Sequence, residues 1–416
     1  MVTNMKTKAV RIYGKSDLRL EEFDLPEIKD DEILASVVSD CLCMSSYKAA
    51  IQGPAHKRVP DDVESNPTII GHEFSGELIK IGEKWENDFK VGQKYSIQPA
   101  MNYKGSLDAP GYSYQHIGGN ATYVIIPNEV MEQKCLLPYD GDAFFYASLA
   151  EPMSCVIGAF HANYHTIPGV YEHKMGIVPD GNMAILAGAG PMGLGAIDYI
   201  IHAERKPKLL VVTDIDDVKL NRAAEVLTVE EAARNGVKLV YLNTGDSDEL
   251  LALTDGQGYD DVFVYAPVAP VIELADRILG RDGCLNFFAG PTDPSFTAAF
   301  NFYNVHYGST HIVGTSGGNT DDMRESLTMM ASGRLNPAAM ITHVGGLDSV
   351  IEATLNLPNI PGGKKLIYSN VSMPLTGIDE FENIDDPVFQ KLAEIVKNNN
   401  NLWCAEAEKY LLEQMG

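Results

Sequence analysis

The sequence predicts an α/β protein with two unlike parts, a β-rich, barrel-like domain and a doubly wound parallel sheet, followed by a helical C-terminal extension. Three observations carry this. Residues 6–150 hold short strand-forming runs, KAVRIYG, EILASVVS, FSGELIKIG, KYSIQP and ATYVIIP, separated by Gly, Pro and Asp. From residue 183 strand and helix patterns alternate: MAILA, PMGLGAIDYIIHAE, LLVVTD, VKLNRAAEVL and onward to HIVGTSG. Such alternation indicates a parallel sheet flanked by helices. From residue 374 the chain turns acidic and then twice amphipathic, in PVFQKLAEIVKN and LWCAEAEKYLLEQM, the spacing of two short helices.

After residue 316 the helix NTDDMRESLTMMASG and the strand KKLIYS break the alternation. The expected division is therefore 1–165 with 316–373 as one domain, 166–315 as the second, and 374–416 as the extension. A chain of 416 residues is long enough for two cores. Hydrophobic residues make up 45%, an ordinary globular composition. Lys and Arg number 32 against 57 Asp and Glu, a net charge of −25. A surface this acidic repels nucleic acid and anionic membranes, so neither is expected as a partner. Six scattered cysteines suit a reducing cytoplasm better than a disulfide framework. The first residues hold no apolar stretch of signal length. The uncharged run Gly181–Ile197 carries five glycines, which suits a strand–turn–helix rather than a membrane span.

Within that run, Gly188, Gly190 and Gly193, with Pro191 and Met192 between them, form G-x-G-x-x-G between a strand and a helix. The first glycine serves the tight turn, the second the approach of a pyrophosphate and the third helix–strand packing, while the helix N-terminus offers N–H donors. Asp214 ends the next strand 21 residues after Gly193. A carboxylate there accepts both adenosine ribose hydroxyls and repels a 2′-phosphate, favouring NAD over NADP.

Hydride transfer to a nicotinamide also needs a group that polarises a carbonyl or holds an alkoxide. A zinc ion with three protein ligands and an open position does this. Candidate ligands lie upstream: Cys43 in SDCLCMSSYK, His72-Glu73 in NPTIIGHEFSGELIKIG, and Glu151 in LAEPMSCVIG. Singly they read as a buried thiol, a polar turn and an acid at a helix start. Beside a nucleotide motif they point to a metal centre.

Together these motifs resemble the medium-chain, zinc-dependent alcohol and polyol dehydrogenases. Gly71-His72-Glu73 with Gly76 and Gly82 is similar to that family's GHE-x2-G-x5-G signature, with Trp85 where valine is usual. FKVGQKYSIQP resembles its "VGDRV" segment, GGNATYVIIP its "GGFAEYVVVP", and the EPMS of Glu151–Ser154 the "EPLS" of polyol dehydrogenases. The resemblance implies a GroES-like catalytic domain and a Rossmann domain. It implies zinc on Cys43 (not Cys41), His72 and Glu151, with Glu73 binding the ion directly or through water. It implies Ser45 as a proton relay, with Lys48 standing where some members carry the relay histidine. Ser46 stands where the family has an aspartate that orients the zinc-bound histidine. The segment 101–119 has no cysteine, so one catalytic zinc and no structural zinc are expected. Lys364, with Lys365, occupies a position that often carries a basic residue for the cofactor pyrophosphate. Homodimers or homotetramers are the family's habit.

Inside the family, SSYKAAIQGPAHKRVPDD, GYSYQHIGGNATYVIIPNEVM and VGTSGGNTDDMR resemble the L-sorbose-1-phosphate reductases. That resemblance implies interconversion of a ketose 1-phosphate and a hexitol phosphate. The residues point the same way: His56, Lys57 and Arg58, near Lys48, form a basic cluster between Cys43 and His72, suited to a phosphate. A solvated loop is the plainer explanation of that cluster. Two other readings stay open. One is a dehydrogenase of unphosphorylated polyols or secondary alcohols; the other is a nucleotide-binding protein without turnover, favoured only by Ser46.

Overall fold

The computed structural model describes residues 5–167 and 169–416. The chain forms two compact units, one of residues 1–151 with 319–416 and the other of residues 152–318.

The first unit is built on an eight-stranded sheet. Its spine runs from Thr376–Gly377 through Ile341–Gly346, Lys364–Tyr368, Ile33–Leu42, Phe74–Ile81 and Lys94–Ile97 to Leu136–Pro138. Tyr123–Ile126 pairs separately with Ile33–Leu42. The strand ILASVVSDCL is buried along nearly its whole length, and its apolar residues do not alternate strictly with polar ones. Val37, Phe74, Leu78, Tyr95, Ile97 and Val124 make one core beneath it. A second core gathers Ile12, Leu42, Ala49, Ile70, Tyr112 and Ile367. Pairing of Ile33–Leu42 with Phe74–Ile81 sets the loop after Leu42 beside the loop before Phe74. Pairing with Lys364–Tyr368 puts Lys365 opposite Leu42. Three segments far apart in sequence thus end at one place.

The tail from 374 belongs to this unit rather than standing apart. Its helices are Pro387–Asn398 and Ala405–Met415, on the two amphipathic stretches. Their apolar sides, with Phe381, Phe389, Leu392, Trp403 and Leu411, are buried.

The second unit is a six-stranded, all-parallel sheet. In chain order its strands are Asn182–Leu186, Leu209–Thr213, Lys238–Leu242, Tyr259–Val264, Leu279–Phe287 and His311–Gly314. In space the third strand lies at one edge, followed by the second, first, fourth, fifth and sixth. This is the doubly wound dinucleotide order, whose strand sequence reverses beside the first strand. A hairpin of Tyr164–Ile167 with Val170–Met175 precedes the sheet and was not among the expected elements. Its second strand is exposed throughout and carries no alternating apolar pattern. Among the described residues no helix is long and apolar enough to cross a membrane.

Candidate active site

Cys43 sits at the end of Ile33–Leu42, just before the helix Met44–Gln52. His72 and Glu73 precede Phe74–Ile81. Gly71 takes φ +99°, and a side chain there would strike Asn120 and Asp40, so only glycine turns the chain into this loop. The two loops are laced together: Cys41 N–H donates to the Glu73 carbonyl at 3.0 Å, and Glu73 N–H to Asp40 Oδ1 at 3.1 Å. The Cys43 thiol, a His72 ring nitrogen and a Glu73 carboxylate oxygen consequently lie within 4.8 Å of one another. This is the metal-capable group found among the described residues.

The imidazole is oriented from behind. Ser46 Oγ is 3.1 Å from His72 Nδ1, which leaves Nε2 facing the cluster. A short hydroxyl therefore stands in for the aspartate of the resembling family. Burial, with Lys364, Arg58 and His56 nearby, pulls the His72 pKa down to about 3, so the ring is neutral, as a ligand must be. Burial, then the Glu73 charge, pushes the Cys43 thiol up to about 12. A thiol, a neutral imidazole and a carboxylate are the donors that zinc takes, so the residues present fit the ion.

Lys364, expected at the cofactor pyrophosphate, is found on Glu73 instead. Its Nζ donates to both carboxylate oxygens, at 2.5 and 2.6 Å, in a pair that is almost wholly buried. Burial opposes the ammonium, but Glu73 together with the nearby Cys43 and Cys41 sulfurs outweighs it and holds Lys364 protonated. Lys365 donates to the Pro361 and Gly363 carbonyls at 2.8 and 2.6 Å. Both lysines are thus engaged within the first unit. Glu151, in the helix Phe144–Ala162, is buried. It is not one of the tight trio, yet it acts electrostatically on Cys43 and Tyr112.

Tyr112 is the residue sequence reasoning missed. Its hydroxyl lies 3.2 Å from His72 Nε2 and also meets Ser45. Ser45 is exposed, with Oγ 3.7 Å from Cys43 Sγ. His56 stacks on the Tyr112 ring at 5.7 Å, and the Arg58 guanidinium lies 5.4 Å from its centroid. Arg58 Nε is buried without a hydrogen-bond partner among the described residues. Of the basic cluster, the fold therefore brings His56 and Arg58 against the site and leaves Lys57 exposed. Lys48 is half-buried and close enough to lower the His56 pKa, after burial, Arg58 and Lys57. No local pattern marks Tyr112, which meets His72 only because the 101–119 segment folds over it.

In the second unit the three glycines differ in the space around them. A Cβ on Gly188 would press on Ile185, one on Gly193 would run into the Gly188 carbonyl, and one on Gly190 would meet nothing within 4 Å. The open position is the one a pyrophosphate needs to approach. Gly190 caps the helix Pro191–His202, with Pro191 as its first residue and Met192 in its first turn. Asp214 reaches back to the same turn, its Oδ2 accepting from Ala189 N–H at 3.1 Å.

Comparison with known proteins agrees with this fold. Residues 29–135 match the alcohol dehydrogenase GroES-like domain, and residues 191–332 the zinc-binding dehydrogenase domain. The chain is 53% identical to mannitol-1-phosphate 5-dehydrogenase of Aliivibrio fischeri, over 98% of each chain. It is 52% identical to L-sorbose 1-phosphate reductase of Klebsiella pneumoniae, over 98% of this chain and 97% of that one. The crystal structure of 2R,3R-butanediol dehydrogenase from Bacillus subtilis shares the fold, with a TM-score of 0.70, 21% identity and coverage of 88% of this chain and all of that one. With these domains, these relatives and a zinc-type donor set at one point of the fold, the chain belongs to the zinc-dependent medium-chain alcohol and polyol dehydrogenases.

Proposed function

We propose that this enzyme interconverts a ketose 1-phosphate and a hexitol phosphate, as an L-sorbose-1-phosphate reductase does, with NAD(H) as the hydride carrier. The observation that carries the phosphate is Arg58, held over Tyr112 with a buried, unpartnered Nε in a chain of net charge −25. A cation kept beside a metal-type site against that background suits a dianionic substrate group. The two sugar-phosphate enzymes at more than half identity support the same substrate class.

Cys43 and His72 are the fixed donors for zinc, with Glu73 and Glu151 as the carboxylates of the set. A bound zinc supplies Lewis-acid polarisation of the substrate oxygen. Ionised, Cys43, Glu73 and Glu151 carry three negative charges against the one positive charge of Lys364, an excess that a divalent ion cancels. In this reading Lys364 balances charge rather than gripping the cofactor. Tyr112 and Ser45 form the hydroxyl pair through which the substrate proton passes, with Lys48 the next station toward solvent. His56 and Arg58 hold the phosphate, Lys57 contributing only from the surface. Gly188, Gly190 and Gly193 admit the pyrophosphate, and Asp214 accepts the ribose hydroxyls. A homodimer or homotetramer in the cytoplasm completes the reading, and light scattering tests the assembly.

The deciding experiment is NADH oxidation with L-sorbose 1-phosphate against L-sorbose, before and after chelation, for the wild type and Arg58→Gln. Loss of a charged hydrogen bond costs about 1.5–3 kcal/mol, so KM for the phosphate ester rises roughly 10- to 100-fold while turnover of the free sugar hardly changes. A wild type that prefers the ester by less than roughly tenfold would return the enzyme to unphosphorylated polyols.

A further inference from the structure

The terminal helix Ala405–Met415 buries an acidic side chain, Glu408. Buried carboxylates are rare without strong partners, and this one has three. Oε1 accepts from Phe144 N–H at 2.6 Å and Oε2 from Phe145 N–H at 2.9 Å. Oε2 also accepts from the Tyr368 hydroxyl at 2.8 Å. Trp403, fully buried, donates its indole N–H to the same hydroxyl at 2.8 Å.

Those partners are the ends of two site-bearing elements. Phe144 is the first residue of the Phe144–Ala162 helix, on which Glu151 stands two turns later. Tyr368 is the last residue of the Lys364–Tyr368 strand, whose first residue holds Glu73. One carboxylate from the tail thus ties the helix that carries one site acid to the strand that restrains the other. The lever is short. Glu151 lies about 10 Å along the helix from Phe144 at 1.5 Å per residue, so a tilt of about 5° about that end moves it by about 1 Å. Displacements of this size are enough to spoil a metal or catalytic geometry.

We propose that Glu408 is a positioning residue of the metal site, setting Glu151 and the Glu73–Lys364 pair relative to Cys43 and His72. The inference rests on reading Glu151 as a member of the zinc set. Ser148 supplies a second tie, its hydroxyl donating to the Ser39 carbonyl at 3.0 Å and lying 3.0 Å from Ser75 Oγ. Loss of Glu408 therefore loosens the site without emptying it.

The test compares full-length wild type, Glu408→Gln, Tyr368→Phe, Leu392→Ala and Glu151→Gln. Each is stripped of metal and titrated with zinc against a chelator, then loaded with cobalt(II) for its visible spectrum, well below its own melting temperature. Glu408→Gln should weaken zinc roughly tenfold, the lower end for residues that support a ligand, and shift the cobalt bands. Tyr368→Phe, which removes one of the three bonds, should move both readouts the same way by less. Leu392→Ala, buried in the neighbouring tail helix, should lower the melting temperature at least as much while keeping wild-type affinity and bands. Wild-type zinc affinity and cobalt bands in Glu408→Gln, or in Tyr368→Phe should the first not fold, overturn the proposal if Glu151→Gln loses affinity. An equal loss of affinity in Leu392→Ala overturns it too, because general loosening then explains the effect. Should Glu151→Gln itself bind like the wild type, it is the ligand reading that fails.

Discussion

Ser46 shows how a single residue can keep a role after its chemistry changes. An aspartate would hold the His72 imidazole through a charge; here a hydroxyl does so at 3.1 Å from Nδ1. The orientation survives, and with it the reason to doubt turnover weakens. Glu408 is the other residue whose environment speaks plainly. Burial lifts its carboxyl to about 6 from the usual 4.5, against the N–H groups of Phe144 and Phe145, the Tyr368 hydroxyl and the more distant Lys94, all of which favour the anion. A raised carboxyl pKa means that the folded state holds the proton more tightly than the unfolded chain. This contribution to stability is complete below 4.5 and is lost as pH rises through 6. The shift corresponds to about 2 kcal/mol. The unfolding free energy of wild type minus that of Glu408→Gln should therefore fall by about 2 kcal/mol between about pH 4 and about pH 8 in urea titrations. A difference that does not vary with pH would rule this out.

At the scale of elements, the strand Asn182–Leu186 and the helix Pro191–His202 depend on one missing methyl group. A Cβ on Gly193 would run into the Gly188 carbonyl, so Gly193→Ala must push the helix away from the strand. Overpacking of this kind costs about 1–3 kcal/mol and tilts the N–H groups of the turn off the pyrophosphate. NADH should bind at least roughly tenfold more weakly, as read by quenching of protein fluorescence. Wild-type affinity in that variant would show that the turn does not hold the cofactor. The glycine turn was legible because strand, turn and helix follow one another in the chain. The hairpin Tyr164–Ile167 with Val170–Met175 was not, because its second strand is exposed throughout and shows no apolar alternation.

For the molecule as a whole, the tail decides whether the first unit is complete. An extension that served only assembly would leave a folded enzyme behind when removed. Here residues 374–416 bury Phe381, Phe389, Leu392, Trp403 and Leu411 within the unit. Five side chains of this kind are worth about 10 kcal/mol by burial alone, comparable to the whole stability of a domain. Deleting 374–416 should yield aggregated or unfolded protein by circular dichroism and gel filtration. A soluble, zinc-loaded, active truncation would refute this. The acidic balance acts at the same scale, since a net charge of −25 repels polyanions at long range.

Strand spacing, the alternation after residue 183, the glycine turn and the identities of Cys43, His72 and Glu73, which lie within 4.8 Å of one another, were all present in the order of residues, because each expresses a local preference or a short motif. Glu73 with Lys364, 291 residues apart, His72 with Tyr112, 40 apart, and Glu408 with Phe144, 264 apart, were not. Those pairs exist only once strand pairing and burial have brought distant segments together. A buried charge then takes the partner its three-dimensional neighbourhood offers, and no local period in the sequence announces which one that is.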